Sequence, residues 1–457
     1  MSALPENTLA TEAGPIGKNR GFIARYFDFA AEGTNYRREI LGGVTTFLAM
    51  AYILFVNPAI LADAGMPKEP LFVATALSAV MGCLFMAFIA RYPVGQAPSM
   101  GVNAYFAYTV VLGMGETWQV ALAASLIAGI LFVILTAFKV REKILDAIPR
   151  DLKLAMACGI GLFIAFVGLQ AGGIVVLNKS TLVTLGNLGK PTTLLSIFGL
   201  FLIVLLELRR VWGAIFFGMM GTAFVGVLTG VIPVPTTLVS TIPSLGPLFG
   251  VAVTHIFDFP AQVFTTNMLV VVLTFLFVSF FDTAGTLIGV AERAGLMENN
   301  RLKREGRALF SDSLSIVTGA IVGTSPTNAY IESTTGIDVG ARTGFSAFVT
   351  AAFFLLALFF SPLLTVITAN VTAPAMIMIG TLMLGSLGEI NWKRIEIALP
   401  AFVMMVMMAF TYNIANGIAL GLVIYPVTMV IKGRARELPP IMYGMFLICV
   451  LYFAFLT

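Results

Sequence analysis

The chain has 457 residues, of which 58% are hydrophobic and only 11% are charged. Soluble domains carry roughly 25% charged residues, and apolar stretches near the ~20 residues that cross a bilayer recur along this whole sequence. The composition therefore excludes a soluble globular protein and predicts an all-α polytopic membrane protein. The net charge of +4 follows from the loops between spans and does not indicate a nucleic-acid partner.

The predicted elements begin with a polar segment, residues 1–39, which has mixed charge and shows no cleavable signal peptide. Fourteen predicted spans follow it. A further apolar stretch, 440–456, either crosses the membrane a fifteenth time or lies in the interface. The fourteen spans are predicted at 40–61, 70–90, 98–114, 119–138, 152–174, 192–208, 211–230, 267–291, 308–323, 324–341, 343–360, 372–388, 395–411 and 413–431.

The basic residues predict the orientation of these spans. If the N-terminus is cytoplasmic, every Lys and Arg except Lys68, Lys179 and Lys190 falls in a cytoplasmic segment, as the positive-inside rule requires. We therefore expect a multi-pass protein of the cell membrane with a cytoplasmic N-terminus. Fourteen spans divide into seven plus seven, and the odd number in each half predicts inverted-topology repeats.

The third spans of the two halves contain similar polar stretches. These are QAPSMGVNAY, residues 96–105, and GTSPTNAYIES, residues 323–333. Proline and glycine interrupt both spans, so neither is expected to be helical throughout. Non-helical backbone at membrane depth is tolerated where protein covers it or where it lines a cavity. We predict short antiparallel strands in broken spans 3 and 10, with the half-helices that follow directing their N-termini at a common ligand.

Two carboxylates lie inside predicted spans, where ionisable groups indicate function. Asp282 lies near the middle of the eighth span, and Glu332 is expected in the first turn of the tenth-span half-helix. We predict both as proton-coupling groups, because a carboxyl group in a low-dielectric cavity is readily neutralised. Asp312, near the cytoplasmic start of the ninth span, fits a helix-capping or half-exposed role as well as a functional one. Because no Lys or Arg lies at mid-membrane, the site suits a neutral ligand with N–H donors, a cation or a proton.

Enzymatic chemistry and metal binding have little support. His255 is the sole histidine, and we predict it to be a solvated residue of a proline-rich external connection, 231–265. The three cysteines are isolated and form no CxxC motif. No nucleophile–base set is present. We therefore predict a protein that is not an enzyme and has no cofactor and no metal.

The span motifs resemble those of a known family. SDSLSIVTGAIVGTSPTNAYIESTTG is similar to the ninth-to-tenth-span signature of nucleobase/ascorbate transporters. FDTAGTLIG resembles their eighth-span motif, with Asp282 where many members have glutamate and Thr286 where some have histidine. APSMGVNAYFAY resembles the third-span motif of the AzgA-like purine permease branch, with Asn103 as its asparagine, and REILGGVTTFLAMAYILFVNPAIL also resembles that branch. The similarity covers residues 36–432, and the threonine at 286 removes one titratable group.

This resemblance implies proton-coupled import of the purine nucleobases hypoxanthine, guanine and adenine. It also implies an elevator-like motion of a core domain against a gate domain and a homodimer formed through the gate domains. The alternatives are a uracil or xanthine permease, or an anion transporter or channel of the same inverted-repeat fold. The implied divisions are core 40–148 (spans 1–4), gate 149–265 (spans 5–7), core 266–360 (spans 8–11), gate 361–436 (spans 12–14) and an extra C-terminal segment 437–457.

We expect a planar purine to lie between the two half-helix N-termini. Glu332 is expected to exchange hydrogen bonds with ring N–H groups, and backbone N–H groups of residues 329–331 to meet a ring carbonyl or nitrogen. Phe281 or Tyr330 is expected to stack on the purine, while Asn103 and Thr286 support the acids or reach the substrate directly. The predicted substrate-binding residues are Glu332, Asp282, Phe281, Thr286, Asn103, Ala329, Tyr330 and Ile331.

Overall fold

The computed structural model describes residues 21–138, 148–234, 237, 239–263, 265–298 and 301–456. Within these ranges, eight helices are long and apolar enough to cross a membrane, and five shorter apolar helices accompany them. With the ninth span and the broken tenth span, they account for all fourteen predicted spans and the C-terminal stretch. The predicted fold class is confirmed. Residues 1–20 of the predicted N-terminal segment and most of the basic loop after span 4 lie outside the described residues.

The first seven spans begin and end close to their predicted bounds. A short helix, Phe22–Tyr26, precedes them, and a hairpin of strands Val175–Asn178 and Leu182–Leu185 separates spans 5 and 6. In chain order the spans are Tyr36–Met50 with Ile53–Asp63, Lys68–Phe85 with the π-helical turn Met86–Ala90, strand Gln96–Pro98 with helix Met100–Ala104 and π-helix Tyr105–Gly113, Trp118–Ala137, Arg150–Ala171, Pro191–Leu208 and Ala214–Leu228.

The second seven spans repeat this pattern with a shorter broken helix. The small hairpin Met297–Glu298 and Arg301–Leu302 joins spans 8 and 9, and helix Pro440–Leu456 packs against span 14. The spans are Thr266–Ala294, Glu305–Val322, strand Thr327–Ala329 with helix Ser333–Asp338, Gly344–Ala357 with the 3-10 turn Leu358–Thr365, Ala369–Met383 with the 3-10 turn Leu384–Glu389, Ile395–Phe410 and Ile414–Ile431.

The spans pack in two groups. Span 9 packs against spans 2 and 4, and span 11 packs on spans 1 and 2. Span 5 packs against spans 12 and 13, span 13 against span 14, and span 6 against span 7. The broken spans 3 and 10 meet within the first group, which therefore positions the candidate site.

The proline-rich connection between spans 7 and 8 contains more helix than its proline content predicts. It contains helices Val251–Asp258 and Pro260–Val263, and the first of these packs on span 4. His255 lies on that helix, half-buried, with its ring 4.9 Å from the ring of Phe259. Its Nε2 atom is buried without a hydrogen-bond partner among the described residues. The prediction of a solvated loop residue was wrong, because apolar side chains such as Leu248 and Ala252 are fully buried and fold the connection back onto the spans.

A buried carboxylate joins the first repeat to the second. Glu39, in the first turn of span 1, is fully buried and accepts hydrogen bonds at the start of span 11. The donors are the backbone N–H of Arg342 at 2.8 Å, the hydroxyl and N–H of Thr343 at 2.8 and 3.2 Å, and the N–H of Ser346 at 3.2 Å. Glu39 thus caps, from another span, the N-terminus of a helix some three hundred residues away in sequence, where its negative charge also interacts favourably with the helix dipole.

Replacing Glu39 with alanine is expected to destabilise the protein strongly. Each buried donor left without a partner costs about 1–3 kcal/mol, so thermal unfolding of the purified protein in detergent should shift down by several degrees. Glu389→Gln is the matched control, because the ion pair of Glu389 with Arg150 is exposed on both sides and such pairs contribute about 0–1 kcal/mol. Equal unfolding temperatures for the two variants would contradict the capping role.

Candidate functional site

The broken spans 3 and 10 are joined by a short strand pair. Gln96–Pro98 and Thr327–Ala329 are antiparallel, and every residue of both strands is buried. This confirms the predicted pairing of the two interrupted stretches. The paired residues are Gln96 with Ala329, Ala97 with Asn328, and Pro98 with Thr327.

Backbone bonds continue the pair at both ends. The N–H of Ser99 donates to the carbonyl of Pro326 at 2.9 Å, and the N–H of Tyr330 donates to the carbonyl of Gly95 at 3.0 Å. The two prolines, Pro98 and Pro326, lack an N–H, so they suit positions that need only an acceptor. The strand pair therefore satisfies backbone groups that would otherwise be unpaired at membrane depth.

Asp282 lies against one side of this strand pair. Its Oδ2 accepts a hydrogen bond from the Ser99 hydroxyl at 2.7 Å and from the Asn328 side-chain amide at 3.2 Å. Both donors belong to the broken spans, so the strand pair fixes the direction of the carboxylate. Thr286, one turn further along span 8, shares its helix face, and both side chains are partly exposed.

Glu332 lies at the other end of the tenth-span strand. It occupies the N-cap position of helix Ser333–Asp338 instead of the first turn, and its side chain makes no capping bond to the backbone of that helix. Its Oε1 accepts a hydrogen bond from the hydroxyl of Tyr52, in span 1, at 2.5 Å. Glu332 is partly exposed, as is the neighbouring Ile331, whose side chain reaches span 8 at Gly289.

The two carboxylates are not neutralised by basic side chains. Within the described residues, neither Asp282 nor Glu332 forms an ion pair with Lys or Arg, and their hydrogen-bond donors are hydroxyl or amide groups. Such an arrangement can accept a proton or N–H donors from a ligand, and it is repulsive to anions.

Tyr330 lies against the strand pair. It is only 6% exposed, and its hydroxyl donates to the carbonyl of Pro98. The backbone N–H of Tyr330 donates to the carbonyl of Gly95, so it is not available to a ligand. Ala329 is buried within the strand pair. Ile331 is 47% exposed beside Glu332. The side chain of Phe281, the other candidate for stacking, lies outside the described residues.

Asn103 belongs to a buried polar cluster and contacts neither acid in the described structure. Its Nδ2 donates to Oδ1 of Asn57 at 3.0 Å, and its own Oδ1 has no partner among the described residues. Asn57 in turn donates to the hydroxyls of Thr75 at 2.7 Å and Thr324 at 2.9 Å. All four residues are fully buried. The cluster links span 1 to span 2, to the helix that follows the first strand and to the segment that precedes the second strand.

Asp312 is a third buried carboxylate and lies behind the strand pair. It is fully buried and accepts hydrogen bonds from the Thr283 hydroxyl at 2.9 Å and from the Gln96 amide at 3.2 Å. The half-exposed alternative is therefore wrong. Because Thr283 follows Asp282 directly, span 8 carries Asp282 on one face and binds Asp312 through Thr283 on the neighbouring face.

Glycine at 336 allows span 10 to lie directly on span 1. A Cβ atom at Gly336 would overlap the Thr46 hydroxyl and the carbonyl oxygen of Gly42. Gly336→Ala should push the two helices apart and destabilise the protein by about 1–3 kcal/mol. Thermal unfolding in detergent measures this effect, with Gly388→Ala as the control because no atom lies within 4 Å of its Cβ position. An unchanged unfolding temperature for Gly336→Ala would contradict this packing.

Sequence reasoning missed four residues that shape the site. Tyr52 and Asn57 stand out only as polar residues within the apolar run of span 1. Ser99 and Asn328 lie in the two stretches predicted to be broken, but their contacts with Asp282 were not predicted. Their partners lie between 18 and 280 residues away in sequence. A polar side chain inside a span is the signal that would have marked them.

Comparison with known proteins places the chain. The sequence model of a protein family described as a permease family matches residues 37–420 of this chain. The chain belongs to the nucleobase/ascorbate transporter family. Members of this family are membrane transporters, which agrees with the multi-pass fold. The chain is 54% identical over 440 residues to the guanine/hypoxanthine permease PbuG of Bacillus subtilis (strain 168), covering 94% of this chain and 99% of that one.

Two further comparisons extend this assignment. The chain is 40% identical over 438 residues to the adenine permease AdeP of Escherichia coli (strain K12), covering 96% of this chain and 97% of the relative. Among solved structures, the transmembrane domain of the cyanobacterial bicarbonate transporter BicA matches with a TM-score of 0.62 at 14% identity, covering 85% of this chain and 97% of that one. At that identity the second likeness shows the fold alone.

Proposed function

We propose that this transporter imports the purine nucleobases hypoxanthine, guanine and adenine together with protons. The observation that carries the proposal is the pair of carboxylates, Asp282 and Glu332, at a shared strand pair with no basic partner in the described structure. Purine bases present ring and exocyclic N–H groups, which carboxylates bind strongly. The printed functions of the relatives, guanine/hypoxanthine and adenine permeases, support the same substrate class.

The two acids are assigned different roles. Glu332 accepts N–H groups of the base, because it is partly exposed and held by only one side-chain bond, from Tyr52. Asp282 carries the coupled proton. Its two hydrogen bonds come from Ser99 and Asn328 in the broken spans, so a change in its protonation alters a contact with each of the two broken spans. Asn103 and Thr286 support this region, and the backbone at Ile331 lies beside the base.

The movement that carries the site across the membrane is an elevator-like displacement of the core against the gate. The core comprises residues 40–148 and 266–360, and the gate comprises 149–265 and 361–436. This division is supported by packing, since span 9 packs on spans 2 and 4 and span 11 on spans 1 and 2, while span 5 packs on spans 12 and 13. The protein is a homodimer through its gate domains, with its N-terminus in the cytoplasm.

Uptake of radiolabelled hypoxanthine into proteoliposomes tests the proposal. An inward proton gradient should increase accumulation, and excess adenine or guanine should compete. Competition by uracil or xanthine alone would instead indicate the other branch of the family. Ion conductance without purine uptake would indicate an anion channel or transporter of the same fold, which the acidic site disfavours.

A further inference from the structure

One face of span 8 changes from buried to open at the site. Val271, Phe275 and Val278 are fully buried, whereas Asp282 and Thr286 are partly exposed. These positions follow one another at helical spacing, so they lie on the same face. The open part continues towards the Ala294 end of the helix, which leads to the basic run of residues 301–307. The candidate site therefore opens towards the side of the protein that carries the basic loops. We call this the basic side.

A single tyrosine connects the two groups of spans on the opposite side. Tyr412 lies in the connection between spans 13 and 14, and its ring meets Tyr108 of span 3 with centroids 5.6 Å apart. The same ring meets Phe163 at 5.3 Å and Phe166 at 6.1 Å, both in span 5. Edge-to-face pairs of this kind are favourable beyond the area they bury.

Two hydrogen bonds hold this arrangement in place. The Thr109 hydroxyl donates to the carbonyl of Tyr412 at 3.3 Å, and the Tyr108 hydroxyl donates to Oδ2 of Asp63 at 2.9 Å. Tyr412 also has a positive φ of 53°, which is unfavourable for a bulky residue. Such strained conformations persist where the surroundings over-determine them, and they cluster at switch regions.

We propose that Tyr412, together with Tyr108 and Asp63, forms the gate that closes the site on the side opposite the basic side. The inference rests on the proposed alternating-access function and adds a positioning residue that does not touch the substrate. While the site is open to the basic side, the Tyr412 ring holds span 3 against span 5. Opening towards the other side requires these rings to separate.

Cysteine labelling from one side of the membrane tests the gate. Val271→Cys introduces a thiol on the buried half of the span 8 face, and the buried native cysteines give a background that is measured without it. A membrane-impermeant maleimide is applied to cells from the outside. Adding Tyr412→Ala should increase the labelling rate about tenfold, because it shifts the population towards the outward-open state. Tyr412→Phe keeps every ring contact and should leave the rate unchanged.

Transport kinetics give a second readout that a merely structural role would not move. If Tyr412→Ala raises the outward-open fraction, the apparent KM for external hypoxanthine should fall while the maximal rate also changes. Tyr108→Phe removes only the hydrogen bond to Asp63 and should raise the labelling rate by about threefold. This variant tests the gate if Tyr412→Ala does not fold. Unchanged labelling in the folded variants would overturn the proposal. Increased labelling without any purine uptake would support the gate and reject the proposed substrate instead.

Discussion

Replacing Glu332 with alanine is expected to weaken hypoxanthine binding by roughly tenfold to a hundredfold. Hydrogen bonds to charged groups contribute about 1.5–3 kcal/mol each, and Glu332 is the partly exposed carboxylate beside the strand pair. Glu332→Gln retains an oxygen that accepts from Tyr52 and removes only the negative charge. Competition of unlabelled hypoxanthine with radiolabelled ligand, measured on purified protein, gives the affinity directly.

Controls separate the loss of a ligand contact from a loss of structure. Tyr52→Phe removes the donor that orients Glu332 and leaves the carboxylate, so it should weaken binding by a smaller factor than Glu332→Ala. Glu389→Gln removes an exposed carboxylate far from the strands in sequence and should have no effect. Wild-type affinity in Glu332→Ala would sink the assignment of this residue to the substrate.

Asp282→Asn is expected to abolish accumulation driven by a proton gradient while exchange of substrate across the membrane continues. Asparagine cannot take up and release a proton, but its side-chain oxygen can still accept from Ser99 and Asn328. A gradient of one pH unit supplies about 1.4 kcal/mol per proton, which supports roughly tenfold accumulation. The variant should therefore reach equal concentrations inside and outside, and its uptake should no longer depend on external pH.

The measurement compares steady-state accumulation with counterflow exchange in the same proteoliposomes. Loss of both signals would mean that Asp282 is needed for binding or folding and not specifically for coupling. Full accumulation by Asp282→Asn would reject the coupling role. If Asp312→Asn alone removed the effect of the gradient, the coupled proton would be carried by Asp312, the buried carboxylate that Thr283 and Gln96 contact, and not by Asp282.

The sequence predicted the span bounds and the broken spans well, because hydrophobic length and proline position act locally. The stretches around Pro98 and Pro326 were recognised from residues a few positions apart, and their pairing followed from the need to satisfy backbone groups in a membrane. Asp282 and Glu332 were recognised because charge inside an apolar run is costly. The structure brings both of them to the same strand pair.

The contacts that orient these acids were beyond prediction. The bond from Tyr52 to Glu332 joins residues 280 positions apart, and the Glu39 cap spans more than 300 positions. Such contacts depend on how whole helices pack, which a single sequence does not specify. The helix that contains His255 was missed for a related reason, since the prolines around it marked a loop while its burial depends on contact with span 4.

The strand pair also constrains how the protein is made. Gln96 pairs with Ala329, so the backbone of the first strand has no partner until more than two hundred further residues have been synthesised and inserted. Unpaired backbone groups are costly in lipid, and the first half of the chain must hold this segment against its other spans or in contact with water during that interval. In a ribosome-bound chain that ends after span 7, the third span is therefore expected to be cleaved by proteases. A longer chain, in which span 10 has also left the ribosome, should protect the third span from cleavage.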